Sequence, residues 1–227
     1  MNDELKFTVI SDIHYYSKKN FVDGFDKNKK PKPGQLFFSR SEEIVEHTFD
    51  CLCKNDTPDV VLISGDLTYN GERTSHDEMK AALKKLQQKG KRVYVITATH
   101  DYTTPRMPTY GIDKNDKYIE VESVKRTQLL KYYGDFGYNN AIAKHKSTMS
   151  YVAQLADGYR LFALNDDYGD PDCGFSDELM NWVKTEANNA KRDGQYIIAM
   201  THHPLVPPSP IYTAVAKGDM LNDYELR

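Results

Sequence analysis

Phe7-Thr8-Val9-Ile10-Ser11-Asp12-Ile13-His14 is an apolar, β-branched run that ends in a carboxylate and an imidazole, and three further runs end in a similar way. Val60-Val61-Leu62-Ile63-Ser64 leads into Gly65-Asp66. Val93-Tyr94-Val95-Ile96-Thr97 leads into Thr99-His100-Asp101, and Tyr196-Ile197-Ile198-Ala199-Met200 into His202-His203-Pro204. Short runs of this composition read as buried parallel strands. In open α/β sheets ligands gather outside the carboxyl ends of the strands. The four ends therefore predict Asp12, His14, Asp66, His100 and His202 on one rim. Four of the seven histidines (His14, His100, His202, His203) fall at these ends. His47, His76 and His145 are expected at the surface.

Between the runs, helical periodicity alternates with loops. Ser39 and Glu42 fit a capping box for a helix with Ile44, Val45, Thr48, Phe49 and Leu52 on its apolar face. A second helix is expected over about Ser75–Lys89, with Met79, Ala82, Leu83 and Leu86 buried and Gly90 closing it. A third spans about Glu122–Tyr133. Asp157-Gly158 between two apolar runs signals a hairpin. Ser176 caps a helix that buries Leu179, Met180, Val183 and Ala187. The polar stretches Tyr15–Phe38 and Tyr102–Tyr118 are too long for ordinary connections, and such loops are usually functional. Their tyrosines either stack on a substrate ring or pack the loops down.

The 227 residues allow one large α/β domain or two small ones, and with no repeat or boundary a single domain over 1–227 is expected. A net charge of −3 offers no basic field for nucleic acid duplexes or anionic membranes, and Lys27–Lys32 reads as a solvated loop. Cys51, Cys53 and Cys173 form neither an even disulfide framework nor a zinc motif. No apolar run approaches the ~20 residues of a membrane span, and no signal segment precedes the first strand. A cytoplasmic protein is expected, or an exported one whose signal has been removed.

Asp12 and His14 alternate on an extended segment, so a bend can turn both toward one ion. A carboxylate beside an imidazole suits Mn, Fe or Zn. Gly65 permits a tight turn before Asp66. A carboxylate there can bridge two metals about 3.5–4 Å apart, a spacing that polarises a phosphate and activates water together. His100 beside Asp101 reads as a general acid oriented by a carboxylate. Taken singly, Asp12 is equally a helix cap, Gly65-Asp66 an ordinary turn, and His202-His203-Pro204 a loop with one packed imidazole. Their shared context at strand ends favours the site.

In order and spacing, Asp12-Ile13-His14, Gly65-Asp66, Thr99-His100-Asp101 and His202-His203-Pro204 resemble the calcineurin-like metallophosphoesterases. The His-His-Pro form is most similar to the branch holding class III cyclic nucleotide phosphodiesterases and related bacterial enzymes. The resemblance implies an α/β fold, a two-sheet β-sandwich core flanked by helices (α/β/β/α). It also implies a phosphoric ester hydrolase in which a metal-activated hydroxide attacks phosphorus. Asp12, His14 and Asp66 would hold a first metal. Asp66, His202 and Thr99 would hold a second, and His100, oriented by Asp101, would protonate the leaving oxygen. Thr99 stands where the family places Asn, which weakens the second site.

The family's final Gly-His-x-His occurs nowhere, and His202 is followed by only 25 residues (227 − 202), so the C-terminal part of the domain is expected to be missing. The expected substrate is a small-molecule phosphoester, a diester before a monoester, with divalent metal as cofactor and the oligomeric state open. The rivals are a phosphomonoesterase or protein phosphatase, and a degenerate member of the fold that binds a phosphorylated ligand or a protein without catalysis.

Overall fold

In a computed structural model of the chain, residues 4–23, 38–54, 56–167 and 174–205 are described. Most of the Tyr15–Phe38 loop, Lys27–Lys32, Cys173 and the prolines at 207, 208 and 210 lie outside them.

Two sheets face each other. The first has parallel strands β1 (Phe7–Ile10), β2 (Val60–Ser64) and β3 (Arg92–Ile96), in that order. A two-strand hairpin, β4 (Gly111–Ile112) with β5 (Tyr118–Ile119), lies in the second long loop. The second sheet has the order β6 (Ala143–His145), β7 (Ser150–Ala156), β8 (Tyr159–Ala163), β9 (Tyr196–Met200). Its first two pairings are antiparallel and β8 pairs β9 in parallel. The four sequence runs are thus divided between the sheets, three in the first and one in the second.

Strand alternation builds the layers, because successive side chains point to opposite faces. Val60 and Leu62 of β2 face Tyr151, Leu161 and Met200 across the sandwich. Val61 and Ile63 face outward into the helices. There they meet Val45, Phe49 and Leu52 of α1 (Ser41–Leu52) and Met79, Leu83 and Leu86 of α2 (Arg73–Gln88). Leu129 and Tyr133 of the short α3 (Leu129–Tyr133) join the same cluster. On the far side, Val152 and Phe162 pack against Ala190 and Trp182 of α4 (Asp177–Arg192). The order is helix, sheet, sheet, helix, as the resemblance implies. Among the described residues no helix is long and apolar enough to cross a membrane.

Several sequence expectations need correction. All of β2 is buried, but β1 and β9 are edge strands of the described sheets. Val9 and Tyr196 there are 57% and 70% exposed, so an apolar run did not mean burial on both faces. Ser39 caps nothing, because a 3-10 turn over Phe38–Arg40 precedes α1. Ile44, expected on the buried face of α1, is exposed. Residues 122–125 are extended rather than helical. The Glu122 carbonyl accepts Arg73 N–H (2.9 Å), and Val124 N–H donates to the Gly71 carbonyl (2.8 Å). The hairpin at Asp157-Gly158 forms as read, with Gly158 at φ +78°.

Two of the three supposed surface histidines are buried. His145 packs inside β6, and His76 has no solvent exposure at all. His76 Nδ1 lies 2.6 Å from the Tyr133 hydroxyl and Nε2 3.0 Å from the Asp101 carbonyl, tying α2 to α3 and to the turn after β3. Burial lowers its pKa to about 4. The unfolded chain, with an ordinary histidine near 6.5, then binds a proton that the folded chain refuses. Stability is present in full above about 6.5 and falls as pH drops toward 4, by roughly 3 kcal/mol. Denaturant unfolding of wild type and His76→Gln across that window should show a steeper pH slope in wild type. Parallel slopes would refute the assignment.

Candidate active site

The carboxyl ends of β1, β2, β3 and β9 do converge. Three of the residues there adopt left-handed backbone: Asp12 (φ 54°), His14 (φ 44°) and Asp66 (φ 52°). Non-glycine residues in this region carry a penalty on the order of 1–2 kcal/mol each. Cross-strand bonds hold them there. Asp12 N–H donates to the Gly65 carbonyl (3.3 Å), His14 N–H to the Asp66 carbonyl (2.9 Å) and Tyr15 N–H to the Leu67 carbonyl (2.9 Å). The segments leaving β1 and β2 thus run side by side, each turned sharply to present its carboxylate or imidazole.

Asp66 sits at the centre, 3% exposed. Its Oδ1 accepts the His100 N–H at 3.0 Å. Its Oδ2 lies 3.6 Å from His14 Nε2 and 3.3 Å from His202 Nε2, and His14 Nε2 is 3.7 Å from Asp12 Oδ1. Ligand atoms bound at about 2.0–2.2 Å to one ion stand roughly 3.0–3.6 Å apart, so these separations suit a shared cation. Two groups with that capacity form, His14–Asp66–His100 and Asp12–Asp66–His202, and Asp66 belongs to both. The mixed oxygen and nitrogen donors fit borderline divalent ions. The grouping differs from the family-derived split, since Asp12 stands with His202 and His14 with His100.

The electrostatics call for positive charge at this rim. The adjoining His14 imidazole holds the Asp12 carboxyl well below the usual carboxylate range. Burial opposes ionisation of Asp66, but His202, His100 and His14 outweigh it and lower its pKa. Burial likewise disfavours charge on His202, yet Asp66 pushes it up to about 9. Among the described residues His14 Nδ1 is buried without a hydrogen-bond partner. His202 Nδ1 lies 2.9 Å from the Ser64 carbonyl, to which its N–H donates, so Nε2 is left facing Asp66.

His100 is placed differently from expectation. Its Nδ1 lies 2.6 Å from the Tyr69 carbonyl and 2.8 Å from Asn70 Oδ1, both acceptors, so Nδ1 carries the hydrogen and Nε2 is the nitrogen left toward Asp66 and His14. Asp101 does not orient that ring. Its Oδ1 accepts Thr68 N–H (2.9 Å) and its Oδ2 accepts Ala98 N–H (2.9 Å). In the 3-10 turn Thr99–Asp101 adjacent side chains diverge, and Asp101, wholly buried, folds back to cap the turn. Thr99 makes no hydrogen bond among the described residues. Tyr69 and Asn70 are partners of His100 that the sequence reading missed. Their only signal was closeness to Asp66.

The loop tyrosines largely pack on one another. Tyr16 is fully buried against Phe21, Phe38 and Tyr69, and Tyr110 donates its hydroxyl hydrogen to Tyr69 (3.0 Å). Tyr69 in turn lies 6.1 Å from the His100 ring and 6.5 Å from that of His14.

Helix, sheet, sheet and helix, with carboxylates and imidazoles meeting at the strand ends, are the arrangement that the metallophosphoesterase resemblance implies. The calcineurin-like phosphoesterase family profile matches residues 5–226, and the chain belongs to that family. Among solved structures it is similar to a dimetal phosphatase from Danio rerio, with a TM-score of 0.57 and 12% sequence identity, covering 88% of this chain and 70% of that one. At that identity the likeness speaks for the fold. No curated protein matches the chain.

Gly65 couples the two sheets. At φ +100° an added Cβ would stand 2.7 Å from Ala98 Cβ and 3.1 Å from His202 Nδ1. Gly65→Ala should therefore lose roughly 2–4 kcal/mol through strain and crowding and displace His202. Gly90→Ala, at φ +88° with nothing within 4 Å, carries the strain alone. Melting in EDTA and Mn²⁺ titration should show both stability and metal affinity falling for Gly65→Ala, and stability alone for Gly90→Ala. Equal behaviour would refute the coupling.

Proposed function

We propose that this chain is a metal-dependent phosphoric ester hydrolase that acts on small-molecule phosphodiesters in preference to monoesters. The observation that carries the reading is the buried Asp66 carboxylate, which stands at ligand spacing from His202 and Asp12 on one side and from His14 on the other. Mn, Fe or Zn bound there would offset charge on the phosphoryl oxygens and activate water. Asp12, His14, Asp66 and His202 are the holding residues, with the Thr99 hydroxyl as a weak additional ligand. His100 keeps Nδ1 on the Tyr69 carbonyl and uses Nε2 to pass a proton to the leaving oxygen. Asp101 keeps the turn that carries His100 in place. The preference for diesters is supported by the His202-His203-Pro204 sequence form.

A second reading, a phosphoryl-ligand binder without turnover, is favoured by one observation: Thr99 replaces the family's amide ligand. Bis-p-nitrophenyl phosphate and p-nitrophenyl phosphate, each with Mn²⁺, separate the readings. Turnover of the diester above the monoester is expected. Asp66→Asn should lower it by more than the roughly 10–100-fold typical of residues that merely support ligands. Mn²⁺ binding without turnover of either ester would establish the binder instead.

His100 has its own signature. A weakly basic leaving group departs without a proton, whereas an alkoxide needs one. His100→Gln should therefore lower kcat more for an alkyl phosphodiester than for the p-nitrophenyl one. Equal losses would remove His100 as the acid.

A further inference from the structure

Among the described residues, the arm bearing His202 is the part of the rim that comes from the second sheet, and the Asp166 carboxylate anchors it. Asp166, fully buried just beyond β8, accepts the backbone N–H groups of His202 (3.0 Å) and His203 (2.8 Å) on the same oxygen, Oδ2. Its other oxygen lies 3.1 Å from His203 Nδ1. With both oxygens taken by N–H donors, Asp166 is no cation ligand.

Its position is itself constrained. Leu164 N–H donates to the Met200 carbonyl (2.9 Å), which extends the β8–β9 pairing past the strand ends. On one side the Asn165 side chain accepts Thr97 N–H (2.9 Å) and donates to the Thr148 carbonyl (2.9 Å), tying this turn to the end of β3. On the other side Asp167 pairs with Arg126 through two 3.3 Å contacts. The His202 ring has less support of its own, with Nδ1 on the Ser64 carbonyl and Nε2 facing Asp66. Where that ring stands is governed by the backbone at 202, and Asp166 holds that backbone.

We propose that Asp166 is a positioning residue that sets the cation affinity of the rim by holding the His202–His203 turn at a fixed distance from the first sheet. The inference rests on the metal-dependent reading above. It depends on side-chain length rather than charge, and that gives it a distinctive test. Asp166→Asn keeps an oxygen at the same reach for the two backbone N–H groups. Asp166→Glu keeps the charge but pushes the turn outward by one methylene, and Asp166→Ala removes the anchor.

Free Mn²⁺ measured by electron paramagnetic resonance during titration of the full chain gives affinity without recourse to activity, and melting in EDTA reports the fold separately. The expected order is wild type close to Asp166→Asn, with Asp166→Glu and Asp166→Ala weaker by about tenfold or more. If Asp166→Ala does not fold, the Asn and Glu variants decide. Wild-type affinity in the Glu variant overturns the proposal, as does a loss in Asn equal to that in Glu, since charge would then be the cause. Wild-type chain that binds no Mn²⁺ overturns the hydrolase reading and this inference with it.

Discussion

Keeping the Asp66 carboxylate ionised between two sheets is the constraint around which this structure is built. A buried anion without compensation costs several kcal/mol. Asp66 is compensated from three directions: by the His100 N–H on one oxygen, and by the His14 and His202 imidazoles beside the other. Those partners come from the ends of three different strands. The same charge that would destabilise an isolated carboxylate thus makes convergence of the strand ends favourable. It also gathers oxygen and nitrogen donors of the kind that suit borderline divalent ions.

That convergence carries backbone strain. Three of the candidate ligand residues adopt left-handed conformations that side chains disfavour. The strain persists because the surroundings over-determine it: parallel pairing of β1 with β2 continues as irregular hydrogen bonds past the strand ends. Rigid strands deliver the ligands, and short turns aim them. Asp101 serves the same end less directly, stitching the β3 turn to the β2 turn through Thr68 and Ala98.

Much of the rim was legible in the sequence because strand runs and their terminal residues are local signals. Phe7–Ile10, Val60–Ser64 and Tyr196–Met200 are strands, and Asp12, His14, Asp66, His100 and His202 do meet. Partnership was not legible. That Asp101 serves backbone while Tyr69 and Asn70 serve His100 depends on how a three-residue turn folds, and residue spacing does not encode it. Nor could periodicity show that His76 lies inward, since histidine is tolerated on either face of a helix and its partner Tyr133 is 57 residues away. The division of four similar runs between two sheets was likewise hidden; the family resemblance implied two layers but not which run belongs to which. The short strand β6 escaped notice because three residues are too few to show alternation.

The parallel pairing of β8 with β9 brings His202 to a partner 136 residues earlier in the chain, Asp66 (202 − 66). No contiguous fragment of modest length contains both halves of the rim. Closing so long a loop is entropically slow and is offset only once both sheets have formed. An ion that requires both halves has little to grip in a partly folded chain. It would act as a ligand of the native state alone, and by mass action the concentration of free divalent metal would then shift the balance between folded and unfolded molecules. If such an ion is taken up, metal supply and the folded fraction would become one variable.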